Sequence, residues 1–198
     1  MILAAWLWGA VSIIWAAKKD GKFRRLLGFI GGTCMGVGAI GFFGTALVSM
    51  VDWLPGSFEW PIGFTKGVVA TSDHYFIVPH TPSGRVQVYD ESWKFIRGWH
   101  VDARSGTFKL NLSDTNHIHV ITARGNMHYV FDLEGNLLSA DSYPSTGYSS
   151  FPSEGRAYAV PTPIWLWAFS RPFHSWLVAL VGVVLIIARD KFPRREVH

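Results

Sequence analysis

The chain has 198 residues, 49% of them hydrophobic and 15% aromatic, with 18 Lys and Arg against 14 Asp and Glu. Three runs without a charged residue, Ile2–Ala17, Leu26–Met50 and Pro172–Ala188, carry more apolar surface than the remaining chain can bury, which excludes an ordinary soluble domain. The formal net charge of +4 is not a nucleic-acid surface either, because the basic excess lies in two short clusters beside these runs.

Residues 1–17 read as a first membrane-spanning helix. No charged side chain precedes it and the basic cluster follows it, the order of a retained helix with its N-terminus outside rather than of a cleaved signal peptide. Residues 18–25, with Lys18, Lys19, Lys22, Arg24 and Arg25, then form a basic cytoplasmic loop, since short Lys- and Arg-rich loops stay inside. Residues 26–50 meet outright the length of about 20 apolar residues that a crossing needs. Gly28, Gly32 and Gly36 recur every four residues of this second helix and predict a face for close helix packing. The packing partner is left open between the third helix, a second copy and another subunit. Gly36–Gly41 matches the dinucleotide pattern G-x-G-x-x-G, but it lies mid-membrane with no preceding strand, so that reading is rejected. Cys34 is alone, which leaves no disulfide framework.

Residues 51–65 read as a linker. From 66 to 141 the periodicity becomes that of short strands in two units, 67–98 and 107–140. Ser72-Asp73 recurs as Ser113-Asp114, Gly84 as Gly125, and Val88-Tyr89-Asp90 as Val130-Phe131-Asp132, at an offset of 41 or 42 with one inserted residue. The predicted strands are 67–71, 75–78, 85–89 and 94–98, then 107–112, 117–122, 126–131 and 136–140, with 156–160 completing the sheets. This pattern, clearest at Tyr129-Val130-Phe131-Asp132-Leu133-Glu134-Gly135-Asn136-Leu137, resembles a blade of the NHL or quinoprotein type of β-propeller. The resemblance implies blade-like antiparallel four-stranded units. Closed propellers need at least about four blades, so two imply no closed ring, and no ligand site carries over.

Residues 142–171 read as a Ser-, Pro- and Tyr-rich tether ending in an interfacial Trp segment. Residues 172–188 form the third helix, starting at Pro172, and 189–198 a basic cytoplasmic tail. Between the clusters, Asp52 to Arg171 holds nine basic and eleven acidic residues. With both basic clusters inside, the β domain falls on the non-cytoplasmic side. Trp6, Trp8, Trp53, Trp60, Trp165, Trp167 and Trp176 then all fall towards the outer surface, where indole favours the interface. Arg171 marks the headgroup level.

No hydrolase elbow, phosphate loop, zinc-protease motif or cysteine pair occurs. The one constellation with geometry is histidine-based. A two-residue turn at Arg124-Gly125 places Ile121 opposite His128, His119 opposite Val130 and His117 opposite Asp132. Alternation then gathers His117, His119, His128 and Asp132 on one face, either the wet face of a sheet or a site for Zn²⁺ or Cu²⁺. His174 is a second candidate, for a pigment or haem. Asn111-Leu112-Ser113 matches the glycosylation sequon, which matters only in a eukaryotic secretory route.

The expectation is a non-enzymatic, multi-pass accessory or interaction protein of a bacterial inner membrane. Its β domain faces the periplasm or extracellular side, and its partners are the lipid bilayer and another membrane protein or a second copy. No cofactor and no nucleic acid is implied. The alternative is a metal- or cofactor-binding, redox-linked membrane protein using the histidine face.

Overall fold

The computed structural model describes residues 22–113, 116–144, 147–152 and 155–191. The first predicted helix with Trp6 and Trp8, together with Lys18 and Lys19, lies outside the described residues, as do Asp114 and the end of the basic tail. The elements in chain order are α1 (Lys22–Met50), β1 (Phe64–Ala70), β2 (Phe76–His80), β3 (Arg85–Tyr89), β4 (Phe95–His100), β5 (Phe108–Leu112), β6 (Ile118–Thr122), β7 (Met127–Phe131), β8 (Leu137–Ser142), α2 (Gly147–Ser150), β9 (Arg156–Ala159), α3 (Trp167–Ser170) and α4 (Pro172–Asp190). Two compact units result: a helical one within residues 1–40 and 175–198, and a β-rich one spanning 41–174.

In the helical unit, α1 and α4 are the two helices long and apolar enough to span a membrane. At about 1.5 Å per residue they measure about 43 and about 28 Å, against a hydrocarbon core of about 30 Å. They run antiparallel, bringing their basic ends together: Arg24 lies 3.7 Å from Asp190, which Arg189 contacts at 2.8 Å. The close seam is formed by Gly31, Gly38 and Gly182. A Cβ on Gly31 would meet Ile186 at 2.8 Å and the Gly182 carbonyl at 2.9 Å; one on Gly38 would meet the Ser175 carbonyl at 2.5 Å and Ala179 at 2.6 Å. The predicted ridge is therefore not the face that meets α4. Among the described residues, a Cβ on Gly28 would meet only the Arg189 side chain, at 3.1 Å, and one on Gly32 or Gly36 would meet nothing within 4 Å. The reason is geometric. Positions 31, 35 and 38 follow the i, i+4, i+7 line that keeps facing one partner, whereas each four-residue step from 28 to 36 drifts about 40° around the helix.

The β-rich unit contains two antiparallel sheets, ordered β4-β3-β2-β1-β9 and β5-β6-β7-β8. Neither closes into a barrel. β9 arrives from 156–159 and pairs with β1, joining Phe64 to Ala159 and Thr65 to Tyr158. The internal repeat is more regular than the sequence suggested: Phe76, Arg85 and Phe95 open strands whose counterparts open at Ile118, Met127 and Leu137, a constant offset of 42. The hairpin turns repeat too. Tyr75 N–H donates to Thr71 Oγ1 at 3.1 Å, as His117 N–H does to Ser113 Oγ at 3.2 Å, so Thr71, not Ser72, is the equivalent of Ser113. Likewise Gly84 (φ 62°) corresponds to Asn126 (φ 51°), not to Gly125. Both close the β2–β3-type turn with a left-handed residue, a conformation that Gly takes freely and Asn tolerates. No residue is inserted.

The sheets stack face to back. Ile118, Val120 and Phe131 of the second sheet share a core with Ile77 and Val86 of the first. The first-sheet counterparts of Val120 and Phe131, namely Val78 and Tyr89, point the other way, into a core with Ile62 and Val160. The first sheet is thus covered on both faces, and all five residues of β3 are buried. Its outer cover is the segment expected to be a linker, which is held by side chains rather than hanging free. Arg85, only 1% exposed, donates to the carbonyls of Leu54, Pro55 and Phe58 at 3.2–3.3 Å. Gln87 accepts from Trp60 N–H at 2.6 Å and donates to the Trp60 carbonyl at 3.0 Å, and Tyr89 donates to Glu59 at 3.1 Å. Trp60 is accordingly only 9% exposed and packs into the domain instead of standing out for lipid. Trp53, Trp165, Trp167 and Trp176 are exposed.

Candidate functional site

The register of the later hairpin is the predicted one: His119 pairs with Val130 and Ile121 with His128. The connection is wider than a two-residue turn. The strands end at Thr122 and Met127, and the Thr122 hydroxyl caps the loop by accepting from Met127 N–H at 3.2 Å. Alternation sends Ile118, Val120 and Phe131 into the core, with Tyr129 packed against it, and leaves His119 and His128 together on the opposite face.

These two imidazoles are a true pair. Nδ1 of His119 and Nε2 of His128 lie 3.0 Å apart, and the rings stack at 5.2 Å and 20°. A contact this short places one proton between the two nitrogens, so one ring donates and the other accepts. Burial, then the neighbouring His128 and His117, hold the His119 pKa below its ordinary value, favouring this neutral pairing. Two nitrogens bound to one tetrahedral zinc would be about 3.3 Å apart, given Zn–N bonds of about 2.0–2.1 Å, so the pair has the spacing of half a metal site.

The other half is not assembled. Asp132 accepts from Asn136 N–H at 2.8 Å and from Asn136 Nδ2 at 2.7 Å, closing the β7–β8 turn. Asp90 does the same in the first repeat, accepting from Ser92 N–H and Lys94 N–H at 2.9 Å each. The Asp of "V-Y-D" and "V-F-D" is therefore a turn staple. Among the described residues, no group of three or more His, Cys, Asp or Glu could hold a metal ion. His174 stacks on Trp167 with ring centroids 3.6 Å apart, its Nδ1 2.9 Å from Ser170 Oγ, an arrangement that fixes the ring at the start of α4.

Two buried groups escaped the sequence reading. Arg85-x-Gln87-x-Tyr89 has the alternation of a wet face, and nothing local reveals that residues 54–60 cover it. His80 is fully buried: Nε2–H donates to the Ser170 carbonyl at 2.7 Å, and Nδ1 accepts from the Ser83 hydroxyl at 2.7 Å. Burial pushes its pKa down to about 3, with Arg171 adding to the effect and the Ser170 bond opposing it. This neutral imidazole ties the end of β2 to the segment leading into α4.

No protein-family model matches the chain, and no curated protein matches it.

Proposed function

We propose that the chain is a non-enzymatic, membrane-anchored accessory or interaction protein. It crosses the membrane three times, keeps its basic clusters in the cytoplasm of a bacterial cell, and presents the β domain in the periplasm. Two apolar helices with adjoining basic ends support the anchoring. So does the run Ile164–Trp167, whose Ile164 and Trp165 are 87% and 74% exposed and suited to the interface. The observation that carries the interaction role is the second glycine face of α1. Gly31 and Gly38 are spent on α4, yet Gly32 and Gly36 have nothing within 4 Å among the described residues. Their face lies about 100° around the helix from the α4 seam. Small residues facing lipid gain nothing over larger ones, whereas they admit a close helix backbone. The occupant is either the segment 1–17 or a helix of another protein.

Copurification in mild detergent tests the reading. A Gly32→Leu protein that keeps its thermal stability but loses a partner retained by the wild type supports it. Loss of stability without loss of a partner assigns the face to the first helix. No change in either property sinks the proposal.

The alternative, a metal- or redox-linked role, is favoured by the His119–His128 spacing alone. Metal analysis of the purified protein before and after His128→Ala decides it.

A further inference from the structure

The two sheets end differently at β4 and β8. The edge of β4 is capped: Gly98 N–H donates to the Gly56 carbonyl at 2.8 Å. The equivalent of Gly98 in the second repeat, at the offset of 42, is Ala140 of β8. Among the described residues β8 is the last strand of its sheet and pairs only with β7. Tyr143 N–H donates to the Asn126 carbonyl, so alternation turns the main chain of Ser139 and Asp141 towards β7 and that of Ala140 and Ser142 outward. Leu137, Leu138, Ala140, Asp141 and Ser142 are all exposed. Native edges are commonly blunted by Lys, by Pro or by a covering segment. Leu137–Ser142 has no Lys or Pro, and its one charge is Asp141.

Beside this edge a cleft of about 470 Å³ opens between the sheets, with Leu137 and Tyr129 on one side and Trp99 on the other. Phe131, which faces the inter-sheet core, pairs with Leu137, and Tyr129 pairs with Ala140. Alternate side chains of a strand laid along β8 would therefore enter the cleft. Its lining also holds Asp52 and Asp102 and no Lys or Arg. Among the described residues neither carboxylate makes an ion pair. Arg85, whose charge reaches Asp52, donates instead to the carbonyls of Leu54, Pro55 and Phe58. Burial lowers the pKa of His100, which also lines the cleft, so it adds no positive charge near neutral pH.

We propose that the edge of β8 is a docking site for an extended segment of a partner protein, which joins the second sheet as an added strand and places a Lys or Arg side chain in the cleft. Main-chain hydrogen bonds to Ala140 and Ser142 supply the affinity of such strand addition, and the cleft supplies its selectivity. Two unpaired carboxylates favour a basic side chain, and the aromatic walls suit its alkyl stem or guanidinium. This docking rests on the interaction role proposed above but uses a surface other than the glycine face of α1, so Gly32→Leu and the variants below report separately on the two.

The experiment uses the full chain in detergent with synthetic peptides of alternating Thr and Val whose central residue is Arg, Gln or Glu. Hydrogen exchange across residues 137–142 reads strand addition, and fluorescence anisotropy of the labelled peptide reads affinity. The Arg peptide should slow exchange there and bind at least about tenfold more tightly than the Glu peptide, which sets like charges together. Asp52→Asn/Asp102→Asn should erase that preference. Ala140→Pro removes an outward N–H and leaves the pairing with β7 in place; it should weaken binding about fivefold or more, the effect of one hydrogen bond. Leu138→Lys, at an exposed position, makes the same test if the proline variant fails to fold. Equal binding of the Arg and Glu peptides, binding indifferent to the edge variants, or no protection at millimolar peptide overturns the proposal. Protection without peptide that grows with protein concentration would give the edge to a second copy and overturns it too.

Discussion

Gly31 and Gly182 meet across the helix pair so closely that a Cβ on either would lie within 3 Å of the other's carbonyl oxygen, at 2.9 Å and 2.6 Å respectively. If the pair spans a bilayer, no hydrophobic force draws the two helices together there, and this backbone contact carries their packing energy. Gly182→Leu should therefore separate or distort the pair, at a cost of about 1–3 kcal/mol or more from overpacking. Thermal unfolding in one detergent measures it. Val184→Leu, at an exposed position of α4, is the control; equal destabilisation by the two would show that the seam is wrongly placed.

The polar column of β3 makes a second prediction. Gln87 supplies both main-chain partners of Trp60, at 2.6 and 3.0 Å. Gln87→Leu keeps the volume but leaves a buried N–H and C=O without partners, each costing about 1–3 kcal/mol. The expected result is a domain destabilised by roughly 2–6 kcal/mol, with new proteolytic cleavage between residues 52 and 60. If cleavage there is unchanged and stability holds, the segment is not held by Gln87.

The difference between what the sequence disclosed and what it hid follows from the range of the interactions. Strand positions, the repeat and the His119–Val130 register rest on alternation and turn chemistry within about 20 residues, and those are local. The destination of each face is not local. Arg85, Gln87 and Tyr89 alternate much as Met127, Tyr129 and Phe131 do, yet the first set grips residues 54–60 while Phe131 reaches across to the other sheet. Ile77 and His119 are equivalent positions in the repeat; one fills the inter-sheet core and the other pairs with His128. A polar alternation reads as a wet face in both cases. The glycine seam was hidden in the same manner, because α1 carries two glycine faces and only the partner's path selects one.

Phe131 tests the stacking itself. It is 6% exposed and shares its core with Val86 and Ile77 of the other sheet. Phe131→Ala should cost about 3–5 kcal/mol, and denaturant unfolding followed by tryptophan fluorescence should report it through Trp99, whose ring centre lies 5.8 Å away. A cost under about 1 kcal/mol, the size of a surface change, would mean that the sheets do not share this core.

His80 gives a pH dependence with a definite sign. Its folded pKa, about 3, lies below the ordinary 6.5, so between those values the unfolded chain binds the proton that the folded one refuses. The stabilisation is complete above pH 6.5 and is lost as pH falls towards 3, at roughly 1.4 kcal/mol per pH unit. His80→Gln can donate to Ser170 and accept from Ser83 without titrating. Its stability should therefore fall less than that of the wild type between pH 6.5 and 4; parallel curves would show that His80 is not buried as a neutral ring.

Topology is the last prediction. Arg24, Arg189 and Asp190 gather at one end of the α1–α4 pair, and short basic flanks of this kind are retained in the cytoplasm. The chain between the two helices must then leave and return on the opposite side. A reporter active only in the cytoplasm, fused after His198, should be active; inserted at Ser145, it should be silent. A periplasm-specific reporter at the same two positions should give the reverse pattern. Cytoplasmic activity at Ser145 would place the β domain inside and remove the basis for a periplasmic partner, whereas silence at both positions would mean that α4 does not return the chain to the cytoplasm.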